Sequence, residues 1–416
     1  MNKKKNKTSN VSHLVLISTL TLLSGTVFSD QLSATGLFPY CFGAKMCQMG
    51  GAGVALTKGI DSTFGNVNPA LMAQVGRDIA IDPMMVFQKV EVDSSRANLT
   101  AGTPLPPYTG SIKNKDKAYA GAYLGFNYPI NSKWAVGLST AGGGGKAKYR
   151  NSIISPALNA PSKIESMAAI SNQILSYRPS CIESYGVSLI AAYLQIKNNL
   201  TQFPSGVPSR GSNRTDHAWG IGARFGGQWD IGQYASMGIA ASTPIAFQKL
   251  KKYRDILAHP PRVPPVVTGG FAFHVSKCTD VLFDLEGAFW GNNAFTSKQP
   301  PVGQGWRSTL SFKFGVQHKV TPDLRLRLGY NYGRTPIRKK FVFFNGLSDS
   351  VSIIENIFTT GFTYDFTPTI NMDLGGSVQL NKKLTDNGRG PAGPAAQGFT
   401  LKARVFTVAL GFNIKY

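Results

Sequence analysis

The residues best suited to bind a ligand are cationic side chains in two neighbouring apolar segments. Lys313 alternates with apolar residues in one segment, and Arg325 and Arg327 do so in the next. A carboxylate needs a cationic contact, and the planar guanidinium of arginine can donate two hydrogen bonds to it. We therefore identify these three side chains as candidate contacts for the carboxylate of a bound molecule. The alternative, which the opposite charges of Asp284 and Glu286 on a neighbouring segment favour, is a set of ion pairs that only holds the structure together.

The sequence lacks the patterns of common catalytic and metal sites. Its histidines are scattered without metal-ligand spacing, at His13, His217, His259, His274 and His318. The glycine-rich stretch 50–53 has no strand–turn–helix context that would make it a dinucleotide loop. No Gly-x-Ser-x-Gly motif of a serine hydrolase occurs either. The sequence thus predicts no enzymatic activity and no nucleotide, metal or other cofactor.

The four cysteines fall into two groups. Cys41 and Cys47 are close enough in sequence for a local disulfide, and the sequence leaves open whether it forms. Cys181 and Cys278 lie in two separate short connections, and we interpret them as unrelated free thiols.

Segments in which apolar and polar residues alternate recur along the chain, and this period of two is typical of β-strands. The last segment, which ends on Tyr416, resembles the final strand of bacterial outer-membrane barrels. Short turns and long polar loops alternate between the segments, as in such barrels. Fourteen strands are predicted, at residues 79–90, 118–128, 133–142, 168–178, 183–196, 216–229, 234–247, 266–276, 281–290, 308–319, 324–334, 353–366, 369–381 and 401–416.

This pattern predicts an all-β fold, a 14-stranded antiparallel transmembrane β-barrel. In such a barrel the apolar face of each strand contacts lipid and the polar face lines the lumen. A closed barrel also leaves no strand edge without hydrogen-bond partners in the membrane. The three candidate cations would then face the lumen.

The N-terminal part of the chain does not alternate. Residues 1–29 combine a lysine-rich start with the apolar stretch 14–23, which is the pattern of a secretory signal, and we expect export to the bacterial outer membrane. Residues 30–77 form a compact glycine-rich segment, which we place inside the lumen as a hatch (plug). Residues 78–416 form the predicted barrel.

Several motifs resemble the outer-membrane long-chain fatty acid transporter (toluene/xylene channel) family. The stretch 51–55, Asp61 and the sequence Asn68-Pro69-Ala70 resemble the family's hatch. Residues 263–290 and 324–336 resemble two of its later strand regions, the second through Gly-Tyr-x-Tyr. Three features depart from the family pattern: the terminal tyrosine, the two hatch cysteines and the strongly basic charge.

The resemblance implies a monomeric barrel that takes up hydrophobic small molecules, such as long-chain fatty acids, without an energy source. It implies that Asn68, Pro69 and Ala70 act as the hatch gate. It also implies sideways release of cargo beside an inward kink in the third strand, here 133–142, which runs into the glycines 142–145. Glycine permits such a kink; the alternative is that these glycines begin a flexible loop. The main rival function is a porin for hydrophilic solutes.

The formal net charge of +23 bears on the expected partners. A basic protein would often bind nucleic acid, but two basic clusters, at 249–254 and 338–340, lie in predicted outer loops of an exported barrel. We therefore expect outer-membrane lipid and anionic lipopolysaccharide as partners and no nucleic acid. Solvated loops without a partner are the alternative.

Overall fold

The computed structural model of the protein describes residues 39–98, 110–150, 162–199, 209–300, 302–346 and 352–416. The predicted signal segment and residues 30–38 of the predicted hatch lie outside these ranges.

Long antiparallel strands form one sheet that closes on itself. The fourteen strands are β1 (Asp78–Asp93), β2 (Ala118–Pro129), β3 (Trp134–Lys148), β4 (Lys163–Ser180), β5 (Glu183–Asn198), β6 (Asp216–Ile231), β7 (Ala235–Ser242), β8 (Val266–His274), β9 (Thr279–Ala288), β10 (Thr309–Lys319), β11 (Leu324–Gly333), β12 (Asn356–Thr367), β13 (Ile370–Thr385) and β14 (Thr400–Lys415). Each strand pairs with the next one, and β14 pairs with β1 along its length, from Lys415 opposite Asp78 to Thr400 opposite Asp93. The predicted 14-stranded barrel is confirmed.

The strands differ from the prediction in their ends and in one interruption. The segment predicted at 234–247 is divided into β7 and a short strand, Ile245–Phe247, on either side of Thr243 and Pro244. Proline has no N–H group to donate to a ladder, which explains the break. Two further short strands, Ser111–Lys113 and Arg262–Val263, extend the sheet beyond the long strands.

The two faces of each strand have the polarity expected of a membrane barrel. In β11, Leu326 and Leu328 are 45% and 61% exposed, whereas Arg327 between them is 1% exposed. An apolar outer face suits lipid, and a polar inner face is shielded from it. No helix within the described ranges is long and apolar enough to span a membrane.

The helices of the described ranges are short and lie outside the strand ladder. The α-helices are α1 (Ala44–Cys47), α2 (Met72–Val75), α3 (Ala294–Ser297) and α4 (Val342–Gly346), and the 3-10 helices span Ser62–Asn66, Pro69–Leu71, Trp290–Asn292, Lys339–Phe341 and Gly393–Ala396. The hatch, here residues 39–77, contains α1, α2 and two of the 3-10 helices and lies within the barrel, where most of its residues are buried.

The inward-facing side chains differ between the two ends of the barrel. One end carries the short turns (the short-turn end), and the other carries the long loops (the long-loop end). Along β1, Asp78 and Asp82 lie towards the short-turn end, and Val86, Val90 and Val92 lie towards the long-loop end, all of them buried. Other buried apolar residues of the long-loop half are Ile190, Ala192, Val266, Leu401 and Val405, and buried polar residues of the short-turn half include Asn127, Ser176, Ser184, Gln228, Asn371 and Asn413. The long-loop half thus carries many buried apolar side chains, interspersed with polar and charged ones such as Gln88, Asp216, Glu286, Ser311 and Gln379.

Aromatic residues of the long loops cover the long-loop half of the lumen. Trp290 and Trp306 are buried against each other with ring centroids 4.8 Å apart, and Phe343 packs edge-on against Phe399 at 5.4 Å. These residues belong to the same buried apolar cluster as the inward-facing valines of β1. The described parts of the loops therefore form an apolar cap over the lumen.

Candidate functional site

The three predicted gate residues lie against the wall formed by β4, β5 and β6. The Asn68 side chain donates to the carbonyl oxygens of Val54, at 2.8 Å, and Gly227, at 3.1 Å, and accepts from the Ala70 amide at 3.0 Å. The carbonyl of Pro69 accepts a hydrogen bond from the Ser176 hydroxyl at 2.7 Å. Asn68 therefore joins two parts of the hatch to the wall and also caps the short helix that follows it.

Glycines of the wall allow this close approach. A Cβ added at Gly226 would lie 2.0 Å from Asn68 Oδ1, and one added at Gly186 would lie 2.3 Å from the carbonyl carbon of Pro69. Any side chain at these positions would push the gate residues away from the wall, since real Cβ contacts are never so short.

Arg327 attaches the opposite side of the hatch to the wall. Its guanidinium donates to Gln48 Oε1 at 3.1 Å, to the Gly59 carbonyl at 3.4 Å and to Gln317 Oε1 at 3.3 Å. It also lies 3.5 Å from Asp373 Oδ1. Because Gln48 and Gly59 belong to the hatch, the candidate cargo contact predicted at this position has the hatch itself as its partner in this structure.

A second buried cation, Lys45 of the hatch, completes this cluster. Its Nζ lies 3.1 Å from Asp61 Oδ2 and 3.7 Å from Asp373 Oδ2. Burial alone would lower the pKa of Lys45, but Asp373 and Asp61 raise it above its ordinary value. Burial alone would raise the pKa of Asp61, but Lys45 and hydrogen bonds from Thr63 lower it below its ordinary value. Both groups are therefore charged at neutral pH. Their buried ion pair joins two parts of the hatch, and Asp373 is the contact of Lys45 with the wall.

Lys313 and Arg325 have different surroundings from Arg327. Lys313 Nζ forms a buried ion pair with Glu286 Oε2 at 2.8 Å. Arg325 is half-buried and lies beside Gly59 of the hatch, where an added Cβ would be 2.7 Å from its Nη1. The three candidate cations thus line one side of the lumen with separate partners, and their role in binding cargo stays a prediction.

Asp284 is a hatch contact that the sequence does not reveal. It lies directly opposite Lys313 in the ladder, yet its Oδ2 accepts from the backbone amides of Gly53 and Val54, at 2.7 and 2.9 Å. The glycine-rich stretch of the hatch supplies these amides. The only signal in the sequence is an acidic residue on the polar face of a strand, which does not indicate its partner.

The cysteines form one disulfide. Cys41 and Cys47 are joined by a disulfide. The bond closes a small loop at the start of the described hatch, and this loop contains Phe42. Cys181 and Cys278 are exposed free thiols, as predicted. Among the described residues, no group of three or more His, Cys, Asp or Glu side chains is arranged to hold a metal ion.

The ladder between β2 and β3 stops before either strand ends. Its last pair is Ala122 opposite Gly142, whereas β3 continues to pair with β4 as far as Lys148. Residues 118–121 pair with β1. The glycines 142–145 remain within β3, so they do not begin a loop. The barrel wall therefore has a break in its strand pairing beside this glycine run. Further along β3, a 2.9 Å hydrogen bond from Gln88 Nε2 to the Lys146 carbonyl bridges the break.

Comparisons with known proteins relate this arrangement to transport proteins. Residues 291–416 match the family model described as outer membrane protein transport protein (OMPP1/FadL/TodX). The matched part contains β10 to β14, including the cations Lys313, Arg325 and Arg327. No curated protein matches the chain by sequence.

Solved structures share the fold over most of the chain at low identity. The Pseudomonas putida toluene transporter TodX superimposes with a TM-score of 0.67 at 14% identity, covering 94% of this chain and 100% of that one. The Ralstonia pickettii toluene transporter TbuX gives 0.63 at 15% identity, with coverages of 91% and 99%. A Pseudomonas aeruginosa FadL homologue gives 0.65 at 15% identity, with coverages of 90% and 98%.

The family match and the shared fold agree with the motifs of the sequence. Residues 291–416 carry the pattern of the OMPP1/FadL/TodX outer-membrane transport family, the described chain has the fold of solved FadL-type transporters, and the predicted resemblance to this family is confirmed.

Proposed function

We propose that the protein is a bacterial outer-membrane channel for the passive uptake of hydrophobic compounds, with long-chain fatty acids as cargo. The observation that carries this proposal is the division of the lumen. Its long-loop half carries buried apolar side chains among polar ones and lies under the apolar cap of the loops, and its short-turn half is polar and filled by the hatch. A pore for hydrophilic solutes needs a polar, water-filled path, whereas apolar walls favour apolar cargo.

The route follows from the orientation of such barrels, in which long loops face the exterior and short turns face the periplasm. Cargo adsorbs to the apolar cap of the outer loops and passes into the long-loop half of the lumen. The hatch blocks the remaining path, so transport requires movement at Asn68, Pro69 and Ala70 or an exit through the wall. The break between β2 and β3 offers that exit towards the membrane.

Two considerations bear on the class of cargo. TodX and TbuX are named toluene transporters, and another solved relative is named a FadL homologue. Hydrophobic cargo is common to these names. The cationic side chains that face this lumen support an acidic compound, because a buried carboxylate requires a charged partner.

The first test is uptake of a radiolabelled long-chain fatty acid by cells that produce the protein, beside cells that lack it. We expect protein-dependent uptake that saturates with cargo concentration. Purified protein in planar bilayers should conduct ions weakly, because the hatch fills the polar half of the lumen. Steady conductance of ions or sugars without fatty acid uptake would instead establish a porin.

A cross-link across the break in the wall should block release. Continued register would place Ala120 opposite Gly144, so Ala120→Cys with Gly144→Cys can be joined by a short bifunctional thiol reagent. The background should carry Cys181→Ser and Cys278→Ser, because these exposed thiols would react as well. We expect fatty acid uptake to fall about tenfold after cross-linking. A fall of this size corresponds to cross-linking of nearly all the protein molecules.

The two single-cysteine variants, treated with the same reagent, are the matched controls and should keep their uptake. Equal uptake before and after cross-linking of the double variant would show that cargo leaves by another route, such as through the hatch towards the periplasm.

A further inference from the structure

A small cavity lies between the hatch and the wall formed by β6 to β9, on the side of the hatch that faces the long loops. Its apolar lining comes from Phe42 and Val67 of the hatch and from Ala240 and Val266 of the wall. Its polar lining residues are Arg224, Thr268 and Glu286. In this closed state the cavity has room for about one water molecule.

Arg224 is the unusual member of this lining. Its side chain is buried, at 5% exposure, and its Nη1 has no hydrogen-bond partner. The guanidinium carbon lies 5.9 Å from the centre of the Phe42 ring, within the range of a cation–π contact. A buried charged donor without an acceptor is costly, and an anionic ligand in the cavity would supply the acceptor.

The carboxylate nearest to Arg224 is engaged by other donors and forms no ion pair with it among the described residues. Glu286 is the carboxylate beside it, but Glu286 Oε2 is taken by Lys313 at 2.8 Å and by the Thr268 hydroxyl at 3.3 Å. Arg224 takes part in none of the ion pairs formed among the described residues. Asp284, the other carboxylate on this part of the wall, directs its Oδ2 to the hatch amides of Gly53 and Val54, so neither carboxylate forms an ion pair with Arg224.

We propose that Arg224 binds the carboxylate of an amphipathic acid, with the hydrocarbon chain lying against the apolar residues of the cavity and of the long-loop half of the lumen. This inference rests on the proposed function and assigns the head-group contact to Arg224 instead of Lys313 or Arg327, which already have partners. Phe42 must turn away to admit the carboxylate. Because Phe42 lies in the disulfide loop of the hatch, its movement links binding of cargo to displacement of the hatch.

The test compares a fatty acid with the alcohol of the same chain length, palmitate with hexadecanol, for binding to the purified full-length protein. Arg224→Met keeps the length and apolar stem of the side chain and removes its charge. We expect the affinity for palmitate to fall about tenfold, as for loss of a charge-assisted hydrogen bond, and the affinity for hexadecanol to change less than about twofold. Arg224→Lys, which keeps the charge, should recover most of the affinity for palmitate.

The control for a general charge effect is Arg262→Met, which removes an exposed cation and should leave both affinities unchanged. Thermal unfolding of each variant establishes that it is folded. The inference would be overturned if a folded Arg224→Met lost affinity equally for the acid and the alcohol, or kept its affinity for palmitate. It would also be overturned if the unaltered protein did not bind palmitate.

Uptake by cells separates this inference from the proposed function. Arg224-dependent binding of palmitate without cellular uptake would support the binding site and contradict the transport function. Uptake of palmitate and hexadecanol that is the same in the unaltered protein and in Arg224→Met would support transport and overturn the role of Arg224.

Discussion

Replacement of Arg327 by methionine is expected to release one side of the hatch and to make the barrel leak ions. The guanidinium is fully buried and joins Gln48 and Gly59 of the hatch to Asp373 of the wall. Its removal leaves Asp373 with only Lys45 as a cationic partner. Loss of one member of a buried ion pair costs about 3–5 kcal/mol. We expect a large drop in the temperature at which the barrel unfolds on gels, and frequent opening events in planar bilayers.

Arg325→Met is the matched control, since it removes the same group from the same strand two residues away. Arg325 is half-buried and therefore better solvated, and we expect a loss below about 1 kcal/mol, in the range of exposed ion pairs. Similar effects of the two substitutions would show that the lumen responds to its total charge and that the specific contacts of Arg327 with the hatch do not matter.

The barrel could be predicted from the sequence because its signal is local. Alternation in β11, with Leu326 and Leu328 outward and Arg327 inward, requires only the period of a strand. The same locality predicts that opposite charges on adjacent strands approach each other, as Lys313 and Glu286 do. The predicted positions of the strand ends were less accurate, because they depend on how far the hydrogen-bond ladder between strands continues beyond the apolar band.

The hatch contacts could not be predicted, because they join residues far apart in the sequence. Arg327 and Gln48 are 279 positions apart, and Asp284 and Gly53 are 231 apart. Nothing in the alternation of β9 distinguishes Asp284, which binds hatch amides, from Glu286, which binds Lys313. The family resemblance implied an inward kink in the third strand, beside the glycines after residue 141, and the start of a flexible loop was the alternative. The position of the break became clear only from the pairing of Ala122 with Gly142.

Gly226→Ala is expected to open the gate from the wall side without any change to the hatch sequence. The added Cβ would lie 2.0 Å from Asn68 Oδ1 and 2.9 Å from Pro69 Cδ, and the strand backbone on which it is built cannot move far. Asn68 must shift and weaken its bonds to Val54 and Gly227. Overpacking of this kind costs about 1–3 kcal/mol, and each lost buried hydrogen bond adds about 1 kcal/mol. We expect ion conductance and initial fatty acid uptake to rise severalfold in a barrel that still unfolds cooperatively.

Gly269→Ala tests whether this effect depends on the gate. It adds the same methyl group to a neighbouring part of the wall, where the nearest atom would be Ile239 Cγ1 at 3.6 Å, an ordinary contact. It should change neither conductance nor uptake. Gly186→Ala, which directs a Cβ at Pro69, should act like Gly226→Ala, because both push the same three residues from the wall. If both gate-side variants lowered stability yet left conductance and uptake unchanged, Asn68, Pro69 and Ala70 would be a structural anchor of the hatch, and the opening would have to be sought at the Arg327 side.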